Sequence, residues 1–359
     1  MKTSFKLITL FFFLATTSLF ASDGVSDKDS SVDKATEIKE YIQHHLQDSY
    51  DFSLFSYTTE AGEHKYIGFP LPVILWDDGL KVFSSSKFHH GETVAEVDGN
   101  YYKVHHSKIY KVDGPNGKII EDESHHATNK KPLDFSLTKN VFMIMMVFLI
   151  MFFMFKRMAD GYKKNGGMPK GVGRLLEPIV IYVRDDIAIP NIGKKHYRRY
   201  MSYLLTVFFF VWIVNLFGIT PLGMNVTNNI AVTFCLALLT FIITNVTAKK
   251  DYWKHIFWMP GVPVPMKIIL APIELLGVFI KPFSLMIRLY ANITAGHIVL
   301  MSLIGLMFIF KSWIGSPLSF MLAFVLGILE LLVAALQAYI FTMLSALYFG
   351  AAVEEHEHH

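Results

Sequence analysis

Hydrophobic positions along the chain change their spacing three times, and each change predicts a different kind of element. An apolar stretch from Leu7 to Phe20 follows Lys2 and Lys6 and ends at the small residue Ala21, the layout of a secretory signal over residues 1–21. Asp33 then precedes Ile38, Tyr41, Ile42 and Leu46, spaced as one face of a short helix. After Tyr50 the period falls to two. Alternating segments such as Tyr66 to Trp76 and Tyr101 to Val112 are punctuated by Asp78-Gly79, Asp98-Gly99, Asp113-Gly114 and Asn116-Gly117, each able to adopt the positive φ of a hairpin turn. Residues 22–137 therefore read as a polar N-terminal segment carrying a small β-rich insertion.

From Thr138 onward the pattern becomes almost continuously apolar. Spans are predicted at about 138–157, 201–220, 229–248, 268–310 and 317–350. The last two are unusual in length. Forty-three residues from Ile268 to Phe310 would extend about 64 Å as one helix, and residues 317–350 about 51 Å, against a hydrocarbon core of about 30 Å. Each fits either two crossings or one strongly tilted helix; the second choice gives five crossings and leaves the tail at 351–359 cytoplasmic. The predicted fold class is an all-α polytopic membrane protein, its last two helices long and tilted, with an N-terminal extramembrane β-rich insertion.

Charge sets the orientation. Only ten of the Asp, Glu, Lys and Arg residues lie between 201 and 350, whereas residues 156–200 carry eleven Lys or Arg against four acids. That loop, and Lys249, Lys250 and Lys254 after the third span, mark one cytoplasmic side. The N-terminal domain then falls outside the cytoplasm. Arginine is absent from the first 30 residues, which disfavours a mitochondrial transit peptide, so the chain reads as bacterial, placed in the inner membrane with a periplasmic N-terminal domain. The net charge of +3 gives no reason to expect nucleic acid, because the basic residues cluster beside apolar runs. The single cysteine, Cys235, lies inside an apolar run and excludes an intramolecular disulfide. Four His pairs, at His44-His45, His89-His90, His105-His106 and His125-His126, are read as solvated or locally hydrogen-bonded. Nothing in the spacing fixes a four-ligand geometry, and no metal is predicted.

Candidate chemistry lies in the two long stretches. Arg288 is followed by 22 uncharged residues and fits a membrane-border anchor as well as it fits a functional group. Lys281 and Asn292 share its helical face, with Ala295 and Gly296 offering close approach to a partner. Glu330 is harder to dismiss, since an ionised acid far from water costs about 2.5 kcal/mol or more. Gln337 is two turns further on the same face, Tyr348 is a further polar group, and His297 points nearly opposite to Arg288. A His and a Glu in an apolar region form either a proton relay or a structural hydrogen bond between helices.

Lys281-Pro282-Phe283-Ser284-Leu285-Met286-Ile287-Arg288-Leu289-Tyr290-Ala291-Asn292-Ile293-Thr294-Ala295-Gly296-His297, together with Leu336-Gln337-Ala338-Tyr339-Ile340-Phe341, resembles subunit a of the F-type rotary ATP synthase. In that family the position after A-G and the one seven before the Gln hold a Glu/His pair in either arrangement; here they are His297 and Glu330. Tyr41-Ile42-Gln43-His44-His45-Leu46, Asn225-Val226-Thr227 and Glu354-Glu355-His356 also resemble family motifs. Two departures stand out. Residues 52–135 far exceed the usual link, and Gly223 stands where some members have an acid.

The resemblance implies a stator subunit that carries protons through two half-channels against the c-subunit ring. Arg288 would face each ring carboxylate, His297, Glu330 and Asn292 would line the external path, and Gln337 would support Arg288. Lys281, Gly296 and Tyr348 would be supporting residues. Implied partners are the c ring, the b subunits of the peripheral stalk, other synthase subunits and the bilayer. No phosphate-binding loop is present, so neither catalysis by this chain alone nor a cofactor is expected. An ion-coupled secondary transporter is the alternative, but such folds carry internal repeats with broken helices, and none is found. A membrane scaffold whose polar groups merely hold helices together is the third reading.

Overall fold

A computed structural model describes residues 48–354 except 59–63, 92, 123–126, 165, 169–170, 221–225, 260–261 and 310–314. The signal sequence, the helix expected over 33–46 with its His44-His45 pair, His125-His126, Gly223 and residues 355–359 lie outside the described residues. The first element is a hairpin of β1 (Asp51–Thr58) and β2 (His64–Pro70), paired antiparallel. It is followed by β3 (Pro72–Trp76) and β4 (Leu80–Ser84), then by β5 (Ala95–Val97), β6 (Asn100–His105) and β7 (Lys108–Val112), and last by β8 (Leu133–Asp134). Two three-stranded sheets have the orders β4-β3-β8 and β5-β6-β7.

Alternation does what the period of two requires. Val73 and Leu75 of β3, Phe83 of β4, Ala95 and Val97 of β5 and Tyr102 of β6 turn inward to form one small core. Asp98 and Gly99 both have positive φ and close β5 onto β6 in a two-residue turn. Asp78-Gly79 lies in the β3–β4 turn, again with positive φ at both residues. The other two expected hairpins differ. β6 turns into β7 at His106-Ser107, where both residues take the left-handed conformation; Asp113-Gly114 and Asn116-Gly117 lie after β7, in a loop closed by a bond from Gly117 N–H to Gly114 O. The His106-Ser107 turn lacks the glycine that sequence reading relies on.

The membrane part consists of α1 (Lys139–Lys164), α2 (Val172–Tyr182), a π-helical turn (Val183–Ala188) continuing into the short α3 (Ile189–Ile192), α4 (Tyr197–Ile219), α5 (Ile230–Thr247), α6 (Lys250–Phe257), α7 (Val264–Ile309) and α8 (Gly315–Val353). Among the described residues α1, α4, α5, α7 and α8 are long and apolar enough to cross a membrane. α7 is one helix of 46 residues and α8 one of 39, so neither long stretch divides into two crossings. Pro272 and Pro282 lie inside α7; each removes one backbone donor without ending the helix. The Asn229 side chain caps α5 by accepting from Ala231 N–H at 3.0 Å.

The basic loop expected near 156–200 is largely helical. Its Pro178–Ile189 part packs against the bundle through Val183, Ile187 and Ala188, all at 0 % exposure. The helices meet along small and hydroxylated residues of α8: Ala334, Ala338, Thr342, Ser345, Ala346 and Gly350 are buried, a stripe that permits close backbone approach. Thr342 and Ser345 donate to the carbonyls four residues back, so their hydroxyls need no outside partner.

The insertion is joined to α1 by more than the chain. Lys139 N–H donates to Ser49 O, and Leu137 N–H to Pro72 O. Phe52, Phe69 and Phe142 form a ring cluster with centroids 4.9 to 5.4 Å apart, and Phe52 and Leu71 belong to the same buried cluster as the membrane helices.

Candidate functional site

α7 and α8 bring His297 and Glu330 face to face. Their closest atoms, His297 Nδ1 and Glu330 Oε1, are 3.9 Å apart, with side chains only 9 % and 12 % exposed. The Glu330 carboxylate lies over Gly296, where an added Cβ would make ordinary contact, 3.7 Å from Oε1. Two sequence positions 33 apart have thus become one ionisable pair in an apolar setting.

The pair opens on a cavity of about 300 Å³ lined also by Asn215, Thr227 and Asn292. The remaining lining is mostly aliphatic, from Val299, Leu326, Leu329 and Val333. Thr227 donates to Asn215 Oδ1 at 3.0 Å, fixing the amide. Asn215 Nδ2 and Glu330 Oε2 are buried without a hydrogen-bond partner among the described residues. A donor and an acceptor left over beside the cavity give its otherwise apolar wall a polar end with the partners a bound water needs. Asn215 went unnoticed in the sequence. Its one signal was an amide in an otherwise oily span, and Gly218, at the next turn of α4, lines the same cavity.

Arg288 stands nine residues before His297 on α7, about 13 Å along the axis, and is half-buried. Among the described residues no carboxylate lies within ion-pair distance of it. Gln337 is 2 % exposed, two turns beyond Glu330 on α8, and makes no direct hydrogen bond to Arg288 among the described residues. On the far side of Arg288 from the His–Glu cavity, the Lys281 Nζ lies 5.6 Å from the Tyr348 ring centroid. These two line a second, smaller cavity with Thr240, Thr244, Asn245 and Tyr252, of about 10 Å³, about the space one water needs. Asn245 Oδ1 is buried beside it without a partner among the described residues. Polar groups therefore flank Arg288 on both sides along α7.

Histidines of the insertion do not gather into a comparable site. The His105 and His106 rings lie tilted to each other with centroids 4.0 Å apart, and His105 Nε2 lies 3.3 Å from Glu121 Oε1. Burial, then the His106 ring, push the His105 imidazole below its ordinary pKa. No group of three or more His, Cys, Asp or Glu side chains able to hold a metal ion occurs among the described residues. The insertion's strongest polar feature is Asp77, 4 % exposed. It is bonded by Lys130 Nζ at 2.8 Å, Lys111 Nζ at 2.9 Å and Tyr102 Oη at 3.0 Å, which hold its carboxyl well below the usual range.

Comparison with known proteins gives two matches to family models. Residues 141–350 match the model described as "ATP synthase A chain", and residues 41–135 match a domain of unknown function. Among similar curated proteins, "ATP synthase subunit a" of Chloroherpeton thalassium is 43% identical over 232 residues, covering 63% of this chain and 69% of that protein. "ATP synthase subunit a" of Pelodictyon phaeoclathratiforme is 44% identical over 237 residues, with 63% and 69% covered. "ATP synthase subunit a" of Myxococcus xanthus is 43% identical over 234 residues, with 63% and 76% covered.

Proposed function

Because the chain belongs to the ATP synthase A chain family, and is thus a non-catalytic, multi-pass membrane subunit of the proton channel with other synthase subunits as partners, we propose that it moves protons through two offset half-channels flanking Arg288 and couples their flow to rotation of a c-subunit ring. One observation carries this reading: two separate cavities, each mostly apolar but with buried polar groups on its wall, lie on α7 on either side of Arg288. A continuous polar pore would short-circuit the gradient. A fixed cation between two dead ends would not, since protons repel from it while a ring carboxylate passing by is favoured in its ionised form.

In this reading the His297–Glu330 cavity is the access path on the side of the N-terminal domain, with Asn292, Asn215 and Thr227 hydrating it. The Lys281–Tyr348 cavity, near the basic loop at Lys249 and Lys250, belongs to the cytoplasmic path. α7 at about 69 Å and α8 at about 58 Å exceed the bilayer core and lie strongly tilted against the ring, with Gln337 holding the α8 side of the arginine region. Each proton descending the gradient supplies about 2.3 kcal/mol per 100 mV. The b subunits of the peripheral stalk would hold this chain against rotation, and the inner membrane of a bacterial cell is its proposed location, with the N-terminal domain periplasmic.

Arg288→Ala tests the reading. In inverted vesicles containing the whole synthase, the variant is expected to be retained in the complex and to hydrolyse ATP without acidifying the lumen. Normal ATP-driven pumping by an assembled Arg288→Ala complex would overturn it.

A further inference from the structure

The end of α6 and the first turns of α7 enclose a cavity of about 380 Å³ that the proton path does not use. Phe257 and Trp258 form one wall, and Ile268, Ala271 and Leu275 of α7 form the other. Spacings of three, four and seven put these three α7 residues on one helical face. The one charged side chain on the wall is Lys267, whose Nζ lies 4.6 Å from the Trp258 ring centroid. Contact with the ring face holds the ammonium in place without neutralising it. Among the described residues no carboxylate lies within ion-pair distance of Lys267. Glu274 is two turns further along α7, about 10 Å by helical rise, and Asp251 lies in the first turn of α6, at its other end.

α6 is two-sided. Tyr252 and Ile256 pack with Val278 and Leu275 of α7 and Ala352 of α8, whereas Trp253, Phe257 and Trp258 are exposed, as are Lys250 and Lys254. Exposed aromatic rings interleaved with lysines beside membrane helices are the composition of the headgroup level of a bilayer. From Lys267 to Leu275 the groove follows α7 for about 12 Å, and beyond the ammonium its lining is apolar. A cation at the mouth with hydrocarbon below it complements the two ends of an anionic phospholipid. A soluble anion would leave the apolar length unfilled, and a zwitterionic lipid would bring a second cation close to Lys267. Lys249, Lys250 and Lys254 add to the same positive field, which favours an anionic headgroup at this border.

We propose that the groove between α6 and α7 is a binding site for one anionic phospholipid, its phosphate at Lys267 and one acyl chain lying along Ile268, Ala271 and Leu275. The lipid fastens the end of α6 to α7. Tyr252 of α6 also lines the smaller cavity beside Lys281 and Tyr348, so the occupant supports the helix that forms one wall of that cavity. The site stands on its own groove and charge, and it holds whether or not protons follow the path proposed above.

The test uses the complete synthase, purified in detergent and mixed with a phosphatidylglycerol that carries a photoactivatable diazirine on one acyl chain. After illumination, cross-linked peptides are mapped by mass spectrometry and counted per assembled complex. Labelling is expected within residues 257–275, and unlabelled phosphatidylglycerol should displace it about fivefold more readily than phosphatidylcholine with the same chains. Lys267→Gln should lower that labelling about fivefold, and Lys267→Arg should keep it. Ala271→Trp fills the groove while leaving the cation, and should remove it. Labelling of the exposed side of α1, at Phe148 and Phe152, is the internal reference and should not change. Three results would each overturn the proposal. Equal displacement by the two lipids would make the contact ordinary bilayer lipid, and displacement by inorganic phosphate alone would make it an anion site with no chain. Undiminished labelling in either Lys267→Gln or Ala271→Trp would put the lipid elsewhere.

Discussion

Gly350→Ala is expected to cost far more than its one methyl group suggests. Near the end of α8 the Gly350 backbone lies against the segment Val183–Ile192, and a Cβ added there would fall 1.9 Å from Asn191 O and 3.0 Å from Asn191 C. Ordinary C···O contacts begin at about 3.3 Å, so one backbone must retreat by about 1.4 Å. Neither is free to. Asn191 Nδ2 donates to Ile187 O at 2.7 Å and contacts Met343 Sδ of α8 at 3.2 Å, and Phe349 and Ala352, on either side of Gly350, are at 0 % exposure. Overpacking a tight interior typically costs about 1 to 3 kcal/mol, and a backbone-to-backbone clash belongs at the upper end. The same substitution at Gly327, where a Cβ meets nothing within 4 Å, serves as the control. It should be neutral, or stabilise α8 by a few tenths of a kcal/mol up to about 1. Subunit abundance and thermal stability of the detergent-extracted complex measure the first effect. Pumping per assembled complex measures the second, because a shifted α8 would disturb Tyr348 and the 3.9 Å approach of Glu330 to His297. Equal stability and equal pumping for the two variants would refute the close-approach argument.

The other expectations concern the relay and the insertion. Replacing His297 or Glu330 singly should impair proton transport by tenfold or more, whereas the exchange variant carrying Glu at 297 and His at 330 should recover part of it; single variants that pump normally would leave the pair a structural contact. Asn215→Leu fills the cavity and removes a donor, so pumping should fall while assembly is retained, and full pumping would show that protons pass elsewhere. Asp77→Asn removes the charge that Lys111 and Lys130 share and should destabilise the insertion by about 1 to 3 kcal/mol, read from the emission of the neighbouring Trp76. The Asp77 carboxyl is depressed in the folded state, so its stabilisation is present above the ordinary carboxylate range and is lost as pH falls below it; acid titration should loosen the wild-type insertion and leave the Asn variant comparatively insensitive.

Long apolar stretches and basic borders made the membrane helices legible, because a bilayer imposes both length and charge on a sequence. Two crossings and one tilted helix could not be told apart from length alone; the unbroken course of α7 through Pro272 and Pro282 settles it in favour of one helix. His297 and Glu330 stood out as ionisable residues in oil, but their contact depends on how α7 and α8 pack, which the sequence marked only through Gly296. Asn215 and Asn245 escaped because each is unremarkable on its own helix and acquires meaning from neighbours supplied by others. The His106-Ser107 turn escaped for a different reason: a left-handed turn without glycine or asparagine leaves no compositional trace.

The packing also explains how a membrane protein can keep so many polar groups without filling its bundle with water. Hydroxyls on the helix interfaces are spent locally, Thr240, Thr244, Thr247, Thr342 and Ser345 each donating to a carbonyl one turn back. Amides and ionisable groups cannot be satisfied that way, since their donors and acceptors outnumber the free carbonyls of their own helix. The unsatisfied ones collect where α7 meets its neighbours: Asn215 and Glu330 beyond Arg288 on one side, Asn245 on the other. Between these two places Leu289 of α7, and Ala338 and Phe341 of α8, are almost fully buried, so apolar packing separates the two sets of polar groups at the level of Arg288. In the proposed function that packing is what would make a proton leave the chain at Arg288 and ride a carboxylate on a moving neighbour from one side to the other.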